Sequence, residues 1–120
     1  MMRAFAAVVS CLLSFALCAD VSCLTWNMRW FPSGIRNLRG EDQVESRNIS
    51  SAGTLIGRAI RSLKGEDPTN CVVLFVQEVR DGEVCTNLVS ASGIEGLRVG
   101  AVSDFRDQAG IPLWQQLAIL

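Results

Sequence analysis

Residues 22–27, SCLTWN, form a short β-prone run. The chain then sets Asn27 and Arg29 among large hydrophobes and breaks at Pro32–Gly34. A second apolar run, CVVLFV at 71–76, ends the same way, in Gln77, Glu78, Arg80 and Asp81. Between them the apolar positions Ile49, Ala52, Ile56, Ala59 and Leu63 step by three and four, the stripe of an amphipathic helix over residues 44–64. Gly53 and Gly57 weaken that helix, and Gly65 with Asp67-Pro68 stops it. Strand, helix and strand in this order predict a βαβ unit with parallel neighbours, and the unbroken apolar run predicts a second strand buried on both faces.

Beyond this unit, Val84, Cys85, Leu88 and Val89 have the spacing of a short helix over 83–90. Leu97, Val99 and Ala101 alternate as a third strand, residues 104–110 make a polar loop, and IPLWQQLAIL at 111–120 runs apolar to the last residue. A core-like strand with no closing turn, cap or charge leaves an unpaired edge. The expectation is therefore an α/β chain that forms the first part of something larger, one sheet layer with covering helices.

The chain has 120 residues, one small domain at most. Its hydrophobic excess is concentrated in residues 4–18, AFAAVVSCLLSFALC, which carry no charge and follow Met-Met-Arg. This stretch is shorter than the ~20 residues of a spanning helix, and with its small-residue end it reads as a signal peptide over 1–19. Export to a secreted or periplasmic location follows. A membrane-anchored protein is the competing reading of the same run.

Removing residues 1–19 takes away Arg3 and no acid, leaving 10 basic and 12 acidic residues and a formal charge of −2. No general basic field is available to hold a polyanion, so a phosphate-bearing substrate needs a local cluster, a metal, or both. Arg29, Arg36 and Arg39 lie close together in sequence after the first strand. Cys23, Cys71 and Cys85 lack metal-ligand spacing and read as small core residues. If the strands are aligned by their polar ends, Cys23 and Cys71 point to opposite faces.

Function in parallel α/β sheets collects at the carboxyl ends of the strands. Asn27 and Glu78 fall there on neighbouring strands. Glutamate is a hard oxygen ligand for Mg²⁺, asparagine can orient a carboxylate or a phosphoryl oxygen, and Arg80 can fork onto a phosphate. These groups are the equipment of phosphoryl transfer or phosphodiester hydrolysis. The same residues also fit a turn-forming asparagine and a surface Glu–Arg ion pair of little energetic value.

TWNMRWF followed by VVLFVQEVRD resembles the first two signature segments of the endonuclease/exonuclease/phosphatase superfamily, in its deoxyribonuclease I-like version. WQQLAIL at 114–120 is similar to the next strand of that family. The resemblance implies a four-layer α/β sandwich, of which residues 20–120 would be the N-terminal, truncated portion. It implies Glu78 as the metal carboxylate for Mg²⁺ (or Mn²⁺ or Ca²⁺), Asn27 as its catalytic companion, and Arg80 and Arg29 as contacts to a nucleic acid or other phosphodiester substrate. The family also uses a His–Asp acid–base pair, and this chain has no histidine. A fragment inactive alone is the expectation, with a secreted, non-catalytic binding protein that keeps only the scaffold as the alternative. Asp104 and Asp107 read as a solvated loop, and the sequon Asn48-Ile49-Ser50 discriminates nothing.

Overall fold

The computed structural model describes residues 20–35, 39–113 and 116–120. The first run forms β1, Val21–Phe31, in which Leu24, Trp26 and Met28 turn inward while Cys23, Thr25 and Asn27 face solvent. The helix follows as α1, Asp42–Lys64, with Asp42 and Glu45 in its first turn and Arg61 and Lys64 in its last, matching the helix dipole. Gly65 ends it at φ 59°, its N–H donating to Arg61 O. Next come β2, Cys71–Val79, α2, Gly82–Ser92, β3, Ala101–Val102, and β4, Gln116–Ile119. Asp81 caps α2 by accepting from Val84 N at 2.9 Å.

These elements make a small α/β domain with one four-stranded mixed sheet in the order β1-β2-β4-β3 and two helices. The first two strands are parallel, as the βαβ pattern requires, and β4 is antiparallel to both its neighbours. The core joins the inward sheet residues Leu74, Val76, Val79 and Ala118 to Ile56 and Ile60 of α1 and to Val84, Cys85 and Leu88 of α2. The inner face of α1 runs through Glu45, Ala52, Gly53, Ile56, Gly57 and Ile60. Leu63, at the end of the predicted stripe, is exposed.

Three sequence expectations change. The outer face of β2 is open, because α1 and α2 pack on each other and share the inner side: Phe75 is 37% exposed and Leu117 on β4 is 47% exposed. The alternation at Leu97–Ala101 yields only a two-residue strand. Leu97 N donates back to Ile94 O, and Gly96 turns at φ 79°. Cys23 and Cys71 share the outer face, since Val21 pairs with Cys71 and Cys23 with Val73. Of the three cysteines among the described residues only Cys85 is a core residue; Cys23 is an exposed thiol and Cys71 is disulfide-bonded. The predicted leader 1–19, Arg36 and Trp114 lie outside the described residues. Among the described residues no helix is long and apolar enough to cross a membrane.

Candidate functional site

The ends of β1 and β2 depart from regular pleating at the same place. In the β1–β2 ladder Asn27 pairs with Gln77 and the next pair is Phe31 with Val79, so three residues of β1 face one residue of β2. Against β4 the pairs are Gln77–Leu117 and Val79–Gln116, which leaves Glu78 as an extra residue. Arg29, Trp30 and Glu78 take the bulge with φ of 56°, 59° and 59°, the left-handed region that non-glycine residues avoid. Each such residue costs about 1–2 kcal/mol. Burial of the flanking Met28, Phe31 and Val79, each worth about 1.5–3 kcal/mol, offsets that strain and fixes the bulge in place.

Strained non-glycine backbone gathers at functional sites, and here it surrounds the pair singled out by sequence. Asn27 Nδ2 donates to Glu78 Oε1 at 2.9 Å, across 51 positions of chain. Asn27 Oδ1 accepts from Arg29 N at 3.0 Å, an Asx-type turn that supports the left-handed Arg29. The backbone donor settles which amide atom is oxygen, and so leaves Nδ2 for the carboxylate. Among the described residues Glu78 Oε2 has no partner. The Arg29 side chain is exposed and makes no hydrogen bond or ion pair among them.

Arg80 is placed differently from the expectation. Instead of joining the Asn27–Glu78 pair, its Nη1 donates to Glu45 Oε2 at 2.7 Å and its Nε to Asp81 Oδ2 at 3.0 Å. Val76 and Val79 both lie in the core although three positions apart, so the pleat slips by one residue at Glu78 and strand parity no longer carries past it. Burial alone would lower the Arg80 pKa. The hydrogen bonds to Glu45 and Asp81, with the charges of both, outweigh it and hold the guanidinium above the ordinary arginine value.

Glu45 is the residue the sequence reading passed over. It is 5% exposed, and its Oε1 also accepts from Gly40 N at 2.8 Å. Its signal was a carboxylate standing four residues before Ile49, on the apolar stripe itself. Asn48 of the sequon sits beside it in α1 and donates to Pro32 O at 2.8 Å, tying the helix to the turn after β1. Asp104 pairs with Arg106 at 3.0 Å, and Asp107 accepts from Ala109 N and Ile111 N, in keeping with a self-contained loop.

A cation at this site would meet one carboxylate. No group of three or more His, Cys, Asp or Glu side chains able to hold a metal occurs among the described residues. Mg²⁺ takes one or two protein carboxylates and completes its shell with water and substrate oxygens. The free Oε2 of Glu78 fits a hard, largely hydrated cation of that kind, and the site does not fit a soft or fully caged metal.

Comparisons with family models, with curated proteins and with solved structures give no significant match to this chain.

Proposed function

We propose that the chain is the N-terminal portion of an exported, metal-dependent phosphodiester hydrolase of the endonuclease/exonuclease/phosphatase type, acting on a nucleic acid or a related phosphate ester. The observation that carries this reading is the Asn27–Glu78 hydrogen bond at two strained parallel strand ends. In it, Glu78 Oε2 is the ligand for Mg²⁺, or for Mn²⁺ or Ca²⁺, and Asn27 holds the carboxylate in one orientation. A bound divalent cation would supply charge neutralisation at a phosphate and activation of water. Arg29, exposed beside Asn27, is the phosphate contact. Arg80, bonded to Glu45 and Asp81, serves the scaffold in this reading. The open sheet face of Phe75, Leu117 and Ile119 is the side on which the second sheet of a four-layer sandwich would pack. A leader at 1–19 directs export, and mass spectrometry of the exported chain should find it cleaved near Ala19.

The test is a Mn²⁺ titration of the ¹⁵N-labelled protein. Paramagnetic broadening should begin at the Asn27 side-chain amide and vanish in Glu78→Gln. Broadening that ignores this substitution would overturn the assignment. With no histidine to act as acid and base, the 120-residue chain should show no measurable hydrolysis; magnesium-dependent DNA cleavage abolished by Glu78→Ala would contradict that.

The lone carboxylate also favours a second reading, a secreted binding protein that keeps the scaffold without catalysis. It requires that Glu78→Ala leave both cation binding and partner binding unchanged.

A further inference from the structure

We infer that Glu45 is a positioning residue for the Asn27–Glu78 pair, acting through Arg80. Glu45 on α1 holds two groups at once: Gly40 N, in the segment before the helix, and Arg80 Nη1, two residues past Glu78. Arg80 in turn touches three elements. Its Nε meets Asp81, whose other oxygen caps α2, and its own N–H donates to Phe31 O at 3.0 Å, at the end of β1. Glu78 and the Arg29–Trp30 bulge therefore lie between two fixed points. On one side stand the regular ladder pairs up to Asn27–Gln77, and on the other the Phe31–Arg80–Glu45 connection.

A left-handed glutamate relaxes unless both flanks are held. The regular ladder holds the near flank; on the far flank the ladder resumes at Phe31–Val79 and Val79–Gln116, and Glu45 is the buried charge that anchors that end through Arg80. A buried ion pair is a poor source of net stability, because desolvation cancels most of the attraction. Its best use is to select one geometry over close alternatives. Here the geometry selected is the one that brings a carboxylate oxygen to the Asn27 amide. The consequence for cation affinity rests on the reading proposed above; the positional statement does not.

The two parts are separable by experiment. In metal-free, ¹⁵N-labelled protein the Asn27 side-chain amide resonances report the bond to Glu78, and Glu78→Ala supplies their position when that bond is lost. Glu45→Ala should move them toward that position while the methyl resonances of Val84 and Leu88 stay in place. Glu45→Gln/Arg80→Met, which leaves no buried unpaired charge, should recover thermal stability without returning the amide. A residue that only stabilised the fold would lower the melting temperature and leave the amide where it is, and that result overturns the inference. Should either variant unfold, hydrogen exchange in the wild type decides. Arg29 N–H, bonded to Asn27, and Arg80 N–H, bonded to Phe31, should open as one unit with protection equal to within about threefold. Arg29 exchanging about tenfold faster or more would overturn the inference. A separate Mn²⁺ titration should show Glu45→Ala weakening binding by about tenfold or more, the usual scale for a residue that orients a ligand. A wild type that binds no Mn²⁺ removes the functional reading and leaves the amide shift to decide the role of Glu45.

Discussion

Gly57 of α1 lies directly against the backbone carbonyl of Ser92, the last residue of α2, so a β-carbon at this position would overlap the oxygen. One turn earlier, a β-carbon on Gly53 would overlap the Ala91 side chain and come within 2.8 Å of the Ala91 carbonyl carbon. The two glycines let the helix backbones approach where α1 crosses the end of α2. In an isolated helix Gly→Ala is worth up to about 1 kcal/mol in favour of alanine. Here the obstacle is backbone, which cannot rotate away, and forced overpacking costs about 1–3 kcal/mol. Gly57→Ala should therefore destabilise the protein despite its better helix propensity, read as a lower midpoint in urea. Gly53→Ala should do the same.

Asn27 offers a second measurement. Removing its amide in Asn27→Ala deletes two hydrogen bonds at an exposed position, one to the Glu78 carboxylate and one from Arg29 N, and water replaces both, so the loss should be about 1–2 kcal/mol. Asn27→Asp keeps the shape and sets a second carboxylate facing Glu78. The two like charges repel across the position that the hydrogen bond occupied. Denaturation at pH 7 should show Asn27→Asp well below both wild type and Asn27→Ala.

The βαβ unit was legible because its signals are local. A stripe at intervals of three and four residues and an unbroken apolar run are properties of short segments, and α1 and β2 lie where those patterns put them. The meeting of Asn27 with Glu78 was legible because parallel strands of similar length must end together. The destination of Arg80 was not, because counting parity assumes a continuous pleat. The slip at Glu78 breaks that count in both directions: counting back from Glu78 misplaces Cys71, which the regular ladder sets on the face of Cys23 through its pairing with Val21. Burial on one face only was hidden for a related reason. Phe75 and Val73 are as apolar as Leu74 and Val76, and nothing in the residue types tells which pair the helices will cover.

Cys85 carries a pH prediction. Burial, and secondarily the negative charge of Asp81, push its thiol up to about 11. The unfolded thiol loses its proton near the ordinary value of about 8.5. Between these two values the unfolded state binds fewer protons than the native state, so stability falls as pH rises. The contribution is complete below about pH 8 and lost on approach to pH 11. The chain has no tyrosine and one lysine, so few other groups titrate in that window. Cys85→Ala should be less stable than wild type at pH 7 and should show a flatter decline from pH 8 to 11. At neutral pH a thiol reagent should label Cys23 at once and Cys85 only on unfolding.

The open face of the sheet makes the last prediction. Phe75 and Ile119 are neighbours in the β2–β4 ladder, and both are more than a third exposed, as are Val21 and Leu117. Contiguous apolar surface on a sheet with free edges promotes association, through the face by hydrophobic contact and through the edge by strand pairing. The purified chain should therefore scatter light increasingly with concentration and bind an apolar dye in its native state. Phe75→Lys or Leu117→Lys places a charge on that face without entering the core, since Leu74, Val76 and Ala118 fill the opposite side. Either substitution should cut scattering and dye binding while leaving the unfolding midpoint within about 0.5 kcal/mol of wild type, the range for surface changes. A large loss of stability would mean that something already covers the face. Unchanged scattering would place the association elsewhere, at the β1 edge, where Thr25→Lys is the corresponding probe.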